Sequence, residues 1–258
     1  MSLDKVVGSP AEAVAGIRSG ASIAVGGFGL AGIPWFLIEA LLEQGADDLS
    51  IVSNNCGVDG AGLGLLLEHR RISRVVASYV GENKEFARQY LAGELTVELT
   101  PQGTLAERLR AGGSGIGAFF TPTGVGTLVS EGGLPWRYNA DGTVALVSPA
   151  KEVRTFHGEE MVLEESIVTD VALVRAAIAD RAGNCVFHAA ARNFNPAAAM
   201  AGRFTVVEAE RVVEVGEIDP DHVHLPGVFV QSVVELTPEQ ASRKDIEKRT
   251  TRARQEAN

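Results

Sequence analysis

The chain has 258 residues, of which 45% are hydrophobic and 22% charged, and its formal net charge at pH 7 is −10. This length allows one large α/β domain or two small ones, and the hydrophobic fraction is sufficient for a buried core. The negative net charge disfavours nucleic acid and anionic membranes as the main partners.

Features tied to cellular location point to a reducing compartment. The two cysteines, Cys56 and Cys185, lie far apart in the sequence, which predicts neither a disulfide framework nor paired zinc ligands. The first residues lack the basic and apolar regions of a secretion signal, and no apolar run approaches the roughly 20 residues needed to cross a bilayer. We therefore expect a cytoplasmic protein.

The first half of the sequence alternates between short apolar strands and helices. Such alternation predicts right-handed crossovers and an open, mostly parallel sheet with flanking helices. The predicted elements are, in chain order, a helix from residue 10 to about residue 20, a strand at 21–26, a helix at 34–42, a strand at 49–53, a helix at 63–69, a strand at 75–80, a helix at 83–91, a strand at 96–99 and a helix at 103–111.

The second half is richer in glycine and in loops, which gives an α/β fold with a loop- and hairpin-rich second half. Short strands, some paired as hairpins, are predicted there at 144–147, 153–156 and 160–163. The longer apolar run at 171–178 predicts a central strand, and further strands are predicted at 204–208 and 212–215. We assign residues 1–236 to a single domain. Residues 237–258 are rich in Arg, Lys and Glu and predict a charged tail that is either a solvated helix or disordered.

A glycine-rich run follows the first predicted strand of this alternation and precedes a helix; it contains Gly26, Gly27, Phe28, Gly29, Leu30, Ala31 and Gly32. Glycines allow a sharp turn and a close ligand, and a helix N-terminus offers N–H donors and a favourable dipole to an anion. The run therefore predicts a site for an anionic or acyl ligand. A tight turn with a purely structural role is the alternative. A dinucleotide site is disfavoured, because no carboxylate ends the next strand to hold a ribose.

Amide side chains follow two of the predicted strands. Asn54 and Asn55 come after the strand at 49–53, and Gln102 comes after the strand at 96–99. Ligands of open parallel sheets gather at the carboxyl ends of the strands, and amides bind carbonyl or carboxylate oxygens without adding charge. An Asx turn at the asparagines and an ordinary helix start at Gln102 remain open as alternatives.

Other chemistry-bearing residues give weaker indications. Cys56 has no histidine nearby in sequence, so a buried, inert thiol is favoured over a nucleophile. His222 and His224 lack a third ligand, so no metal site is predicted. Arg192 could hold a carboxylate or phosphate in a fork geometry, or form a structural ion pair.

Six segments in order resemble the α subunit of the family I CoA-transferases. They lie at 26–34, 53–55, 101–108, 120–124, 191–196 and 224–230, and the similarity extends from about residue 5 to about residue 250. The stretch YVGENKEF at 79–86 is most similar to the 3-oxoacid branch, which uses succinyl-CoA. The 3-oxoadipate branch is the close alternative.

The resemblance implies transfer of CoA between an acyl-CoA and a carboxylic acid, by ping-pong kinetics through a glutamyl-CoA thioester. In this family the nucleophilic glutamate lies in a Ser-Glu-Asn-Gly motif on the β subunit, and this chain has no such motif. Glu131, in Ser-Glu-Gly-Gly, is only a partial match. The resemblance therefore implies no catalytic residue in this chain, a CoA-transferase β subunit as its partner, and no cofactor, since CoA is a substrate.

The resemblance also assigns roles to individual residues. Gly26, Gly27, Phe28, Gly29, Leu30, Ala31 and Gly32 are expected to bind CoA, and Asn54, Asn55 and Gln102 are expected to face the acyl group. The glycine-rich run after the helix at 103–111 is expected to line the cleft with Gly115, Gly117, Thr123 and Gly124. Two other classes stay open: a sugar-phosphate isomerase-like enzyme, for which we find no convincing base, and a non-catalytic ligand-binding protein.

Overall fold

A computed structural model describes residues 4–246, which form sixteen strands and eight α-helices. The strands are β1 (Val6–Val7), β2 (Ser22–Val25), β3 (Leu49–Val52), β4 (Ile72–Ala77), β5 (Thr96–Leu99), β6 (Ala118–Thr121), β7 (Pro135–Tyr138), β8 (Val144–Val147), β9 (Val153–Phe156), β10 (Glu159–Glu165), β11 (Thr169–Ala176), β12 (Ile178–Asp180), β13 (Cys185–Val186), β14 (Gly202–Ala209), β15 (Val212–Val213) and β16 (Ser232–Glu235). The helices are α1 (Pro10–Val14), α2 (Trp35–Gln44), α3 (Leu63–Glu68), α4 (Lys84–Leu91), α5 (Gln102–Gly113), α6 (Leu128–Glu131), α7 (Asn195–Ala201) and α8 (Pro238–Ser242).

The main sheet has eight strands in the order β1-β16-β14-β11-β2-β3-β4-β5, and every neighbouring pair is parallel. The predicted open parallel sheet is therefore confirmed. Strand β2 lies between β3, the next strand along the chain, and β11 from the second half. Because the strand order reverses at β2, the loops after β2 and β11 leave a crevice at the carboxyl edge, where such sheets bind ligands.

Helices cover both faces of the main sheet. Ile23 and Val25 of β2 pack into a core shared with α1, α2, α3 and α4, whereas Ala24 packs into a second core shared with α5 and α7. Successive side chains of a strand point to opposite faces, so one apolar strand supplies both cores. The result is a three-layer arrangement in which the main sheet lies between two layers of helices.

Two helix ends differ from the prediction. Helix α1 begins as expected, with Ser9 Oγ accepting from the Glu12 backbone N–H at 3.1 Å, but it ends at Val14 rather than near residue 20. Helix α5 does not end before Gly112 and Gly113, since both lie within it. A Cβ at these positions would meet Ile167 O at 1.9 Å and Met200 Cβ at 2.3 Å. These two glycines therefore permit close packing instead of ending the helix.

The second half adds small sheets, as the sequence predicts. Strands β9 and β10 form an antiparallel hairpin, and β10 also pairs with β6. Strand β8 pairs with β7, and β12 lies between β13 and β15. Strand β16 inserts between β1 and β14 in the main sheet. The strands that the sequence did not predict are β1, β6, β7, β12, β13 and β16.

The predicted charged tail begins as an ordered part of the structure. Thr237 and Gln240 form a capping box at the start of α8. Arg243 Nη1 then lies 2.6 Å from Glu39 Oε1, and the guanidinium stacks 4.0 Å from the centre of the Trp35 ring. The rest of the predicted tail, beyond residue 246, lies outside the described residues. Among residues 4–246, none of the helices has both the length and the hydrophobicity to span a bilayer.

Candidate active site

Three polar side chains meet where β3, β4 and β5 end. Gln102 Nε2 donates to Asn54 Oδ1 at 2.9 Å, and Ser78 Oγ donates to the same oxygen at 2.8 Å. Asn54 comes two residues after β3, Ser78 directly follows β4, and Gln102 is the first residue of α5. The parallel strands thus bring together side chains that are 24 and 48 residues apart in the sequence.

Asn55 joins this amide cluster of Asn54, Ser78 and Gln102 to the glycine-rich loop. Its Oδ1 accepts the backbone N–H of Gly29 at 3.0 Å, and Asn54 and Asn55 are only 2% and 5% exposed. Within residues 4–246 neither Nδ2 makes a hydrogen bond, and neither is among the solvent-inaccessible polar atoms without a partner. Both asparagines therefore present N–H donors with no formal charge, which suit a carbonyl or carboxylate oxygen.

The glycine-rich loop between β2 and α2 packs closely against the segment before α7. A Cβ on Gly26 would lie 2.0 Å from Asn195 Oδ1, and a Cβ on Gly32, at φ +72°, would lie 2.8 Å from Ala191 Cβ. Asn195 Nδ2 also donates to Gly32 O at 2.8 Å. The alternative of a tight turn with a structural role therefore accounts for Gly26 and Gly32. Phe28, in contrast, is 47% exposed and faces solvent from the loop.

The helix N-terminus after this loop is not open to a ligand anion. Glu208 Oε2 accepts the backbone N–H of Phe36 at 2.9 Å and that of Leu37 at 3.0 Å. The Glu208 side chain is fully buried, and Arg175 Nη1 lies 3.4 Å from its other oxygen. The expectation that a ligand anion uses the first turn of α2 is therefore wrong, because an internal carboxylate from β14 already caps it.

The charge state of this cap depends on opposing effects. Burial raises the pKa of the Glu208 carboxyl to about 7, against the opposite influence of Arg175 and of the backbone N–H groups at the start of α2. Arg175 is itself shared, since its Nη2 lies 3.1 Å from Glu210 Oε1. The cap is thus a carboxyl whose protonation changes near neutral pH.

The four residues predicted to line the cleft are not brought to the amide cluster by this chain. Gly115 and Gly117 follow the far end of α5, a helix of 12 residues that spans about 18 Å from Gln102. Gly117 O accepts from Ser166 N at 2.9 Å, just before β11 begins, at the opposite edge of the main sheet. Thr123 and Gly124 lie in the turns after β6, on a small antiparallel sheet.

The remaining sequence candidates do not form a catalytic group with each other. The Cys56 thiol is fully buried and burial raises its pKa to about 12, which confirms the inert thiol. His222 pairs with Asp219 at 3.0 Å, whereas His224 Nδ1 accepts from the Phe187 backbone N–H at 3.0 Å. No group of three or more possible metal ligands occurs among residues 4–246.

Two charged candidates lie on the surface. Arg192 is exposed at the end of a short 3-10 helix, and the ion pairs within residues 4–246 do not include it. Glu131 is exposed at the end of α6, on a helix of four residues. Neither side chain shares a hydrogen bond with Asn54, Asn55 or Gln102 in the described part of the chain.

Comparison with known proteins decides the family. Residues 7–236 match the coenzyme A transferase family. This chain belongs to the coenzyme A transferases. The predicted family is therefore confirmed, and the match covers both the glycine-rich loop and the amide cluster.

Two bacterial relatives of this coenzyme A transferase are similar to it over nearly their whole length. The α subunit of a probable succinyl-CoA:3-ketoacid coenzyme A transferase from Mycobacterium tuberculosis H37Rv is 65% identical over 97% of this chain and 100% of the relative. The probable protein of the same name from Bacillus subtilis strain 168 is 54% identical over 96% of this chain and 95% of the relative.

A solved structure supports the coenzyme A transferase fold. The apoenzyme of an acyl-CoA transferase, YdiF, from Escherichia coli O157:H7 superposes with a TM-score of 0.76 at 23% identity, and the alignment covers 93% of this chain and 48% of that chain. At this identity the similarity shows the fold alone. The chain thus spans about half the length of that structure.

Sequence reasoning missed three residues that form or support this candidate site. Ser78 is a single hydroxyl after a strand, and its position at the same sheet edge as Asn54 was the available signal. Glu208 is a charge inside the apolar stretch FTVVEA, which is unusual for a buried strand and indicates a paired carboxylate. Asn195 is 0% exposed, but in the sequence it cannot be distinguished from an ordinary asparagine at the start of a helix.

Proposed function

We propose that this chain is the α subunit of an enzyme that moves CoA from succinyl-CoA to a 3-oxoacid, with acetoacetate as the acceptor. The observation that carries this proposal is the 65% identity to the whole length of the Mycobacterium tuberculosis relative, whose name states succinyl-CoA and a 3-ketoacid. The same acid pair in the name of the Bacillus subtilis relative favours it over 3-oxoadipate.

The proposed reaction proceeds through two covalent steps in each of its two half-reactions. A glutamate carboxylate attacks the succinyl-CoA carbonyl, forming an acyl anhydride and releasing the CoA thiolate. The thiolate then attacks the glutamyl carbonyl of the anhydride, forming glutamyl-CoA and releasing succinate. Acetoacetate runs the same steps backwards and leaves as acetoacetyl-CoA.

The amide cluster supplies what these steps need from this chain. Each attack places negative charge on the acyl oxygen, which is stabilised by donors fixed before the reaction. Asn54 and Asn55 present Nδ2 donors held in place by internal hydrogen bonds, and Gln102 keeps one Nε2 hydrogen beyond the one given to Asn54. We assign these three residues to the acyl group.

CoA binding is assigned to the surface beside this cluster. The loop residues at 26–32 lie next to it through the Gly29–Asn55 hydrogen bond, and exposed Phe28 offers an apolar contact to the CoA arm. Gly115, Gly117, Thr123 and Gly124 remain proposed cleft residues in an assembly of two different polypeptides, because this chain alone holds them away from the amides.

The reacting glutamate is assigned to a separate β subunit. The Ser-Glu-Asn-Gly motif is missing from this sequence, and Glu131 is exposed and shares no hydrogen bond with the amide cluster within residues 4–246. The cytoplasmic location and the division into a domain at 1–236 and a tail at 237–258 stay predictions.

Reconstitution tests the proposed function. The purified chain is mixed with the product of the β-subunit gene, and the formation of acetoacetyl-CoA from succinyl-CoA and acetoacetate is followed. We expect exchange by the mixture and none by either polypeptide alone, with 3-oxoadipate used poorly as the acceptor. Efficient use of 3-oxoadipate would show that it, and not acetoacetate, is the acceptor. An inactive mixture would contradict the proposed function.

A further inference from the structure

We propose that Ser78 is a positioning residue that fixes the Asn54 carboxamide for acyl transfer, an inference that rests on the proposed function. The backbone N–H of Ser78 already donates to Asn54 O at 3.0 Å, which holds the two strand ends together. The hydroxyl lies 3.1 Å from that same carbonyl and 2.8 Å from Asn54 Oδ1. Its one hydrogen is therefore directed to the nearer oxygen of the side chain.

The two donors on Asn54 Oδ1 determine what the amide can offer to a ligand. A carboxamide oxygen has two lone pairs, and Ser78 Oγ and Gln102 Nε2 occupy both. The oxygen end is thus held inside the protein, and both Nδ2 hydrogens are left for a substrate oxygen. Donors on the oxygen also polarise the amide and strengthen its N–H groups as donors.

The two anchors are not equivalent. Gln102 is exposed on the first turn of α5, whose N-cap residue Pro101 makes no side-chain cap. Ser78 is half-buried and tied to Asn54 by the backbone as well. Ser78 therefore supports Asn54 through both its hydroxyl and its backbone, whereas Gln102 supports it through one side-chain hydrogen bond from an exposed position.

Loss of the hydroxyl has a defined kinetic consequence. In the assembled enzyme we expect Ser78→Ala to lower kcat by roughly 3- to 10-fold, the effect of one hydrogen bond, with little change in KM for succinyl-CoA. Ser78→Thr keeps a hydroxyl and is expected to restore most of the rate. Ser73→Ala, five residues earlier and on the same strand β4, is the matched control and should leave kcat unchanged.

A double-mutant cycle separates positioning from general stability. If Ser78 acts through Asn54, then Ser78→Ala in an Asn54→Ala background causes no further loss of kcat. An equal loss in both backgrounds, or a Ser78→Ala enzyme with wild-type kcat, would overturn the inference. An inactive wild-type mixture would instead count against the proposed function.

A spectroscopic measurement tests the same inference without activity. The side-chain NH₂ resonances of Asn54 are assigned in the purified chain by their loss in Asn54→Ala. We expect a sharp pair in the wild type and in Ser73→Ala, and a shifted or exchange-broadened pair in Ser78→Ala. If the Asn54 resonances are the same in Ser78→Ala as in the wild type, the Ser78 hydroxyl does not fix the Asn54 carboxamide and the inference is wrong.

Discussion

At the scale of single residues, the proposed acyl site is built from amides rather than charged groups. Asn54 and Asn55 are almost fully buried, and a buried amide with one end satisfied costs far less than a buried cation. The sequence predicted both asparagines and Gln102 because they follow apolar strands, and the parallel sheet brings Asn54 and Gln102 into contact. Ser78 could not be singled out in the same way, since a lone serine after a strand is common.

The role of Gln102 leads to a kinetic prediction. Because one Nε2 hydrogen remains for the proposed contact with the acyl group, Gln102→Ala is expected to lower kcat of the assembled enzyme by about 10-fold or more. Steady-state kinetics of succinyl-CoA and acetoacetate exchange measure this. An unchanged rate in Gln102→Ala would remove this residue from the site.

Gln231→Ala is the matched control for this substitution. Gln231 precedes β16 at the opposite edge of the sheet, and its Oε1 accepts the backbone N–H of Thr205 at 2.6 Å. The control therefore also removes one side-chain hydrogen bond, but away from the amide cluster. We expect it to leave kcat unchanged.

At the scale of elements, the pattern predicted the glycine loop and α2 but not the group that caps the helix. The carboxylate that occupies the first turn of α2 comes from Glu208, 172 residues away from Phe36. Local sequence cannot supply such a partner, because only the placement of β14 in the sheet brings it there. The helix predicted at 103–111 ends two residues too early for the same reason, since the close neighbours of Gly112 and Gly113, Ile167 and Met200, are distant in sequence.

The raised pKa of Glu208 makes the stability of this element depend on pH. The folded-state pKa is about 7 against an ordinary value of 4.5, so the folded protein keeps a proton that the unfolded chain releases between these values. The contribution to stability is therefore full below about pH 4.5 and is lost as the pH rises through 7. In Glu208→Gln this loss is absent. The free energy of unfolding of the variant minus that of the wild type is therefore expected to change by up to about 3 kcal/mol between pH 4.5 and pH 7.

Urea unfolding of the wild type and of Glu208→Gln at pH 5 and pH 8 measures this difference. We expect the free energy of unfolding of Glu208→Gln to increase relative to that of the wild type as the pH rises. Glu160→Gln, an exposed position on β10, controls for the loss of one carboxyl. If the free energies of unfolding of the wild type and of Glu208→Gln change with pH in parallel, the raised pKa of Glu208 is contradicted.

At the scale of the whole molecule, alternation of strands and helices was enough to predict the parallel sheet. It could not predict that β16 enters between β1 and β14, because the order of strands depends on pairing between distant segments. It also missed that Arg243 packs against Trp35 and Glu39, since a run of charged residues is typical of a solvated tail. In the described part of the chain, residues 4–246, the elements thus extend from the first strand to the start of that tail, and the amide donors lie where β3, β4 and β5 end.

The division of labour between two polypeptides is tested most directly by locating the covalent intermediate. The assembled enzyme is incubated with succinyl-CoA and no acceptor, quenched in acid, and each chain is weighed by intact mass spectrometry. We predict that the partner chain gains the mass of CoA less one water while this chain keeps its own mass. A CoA adduct on this chain, at Glu131 or any other carboxylate, would contradict the account.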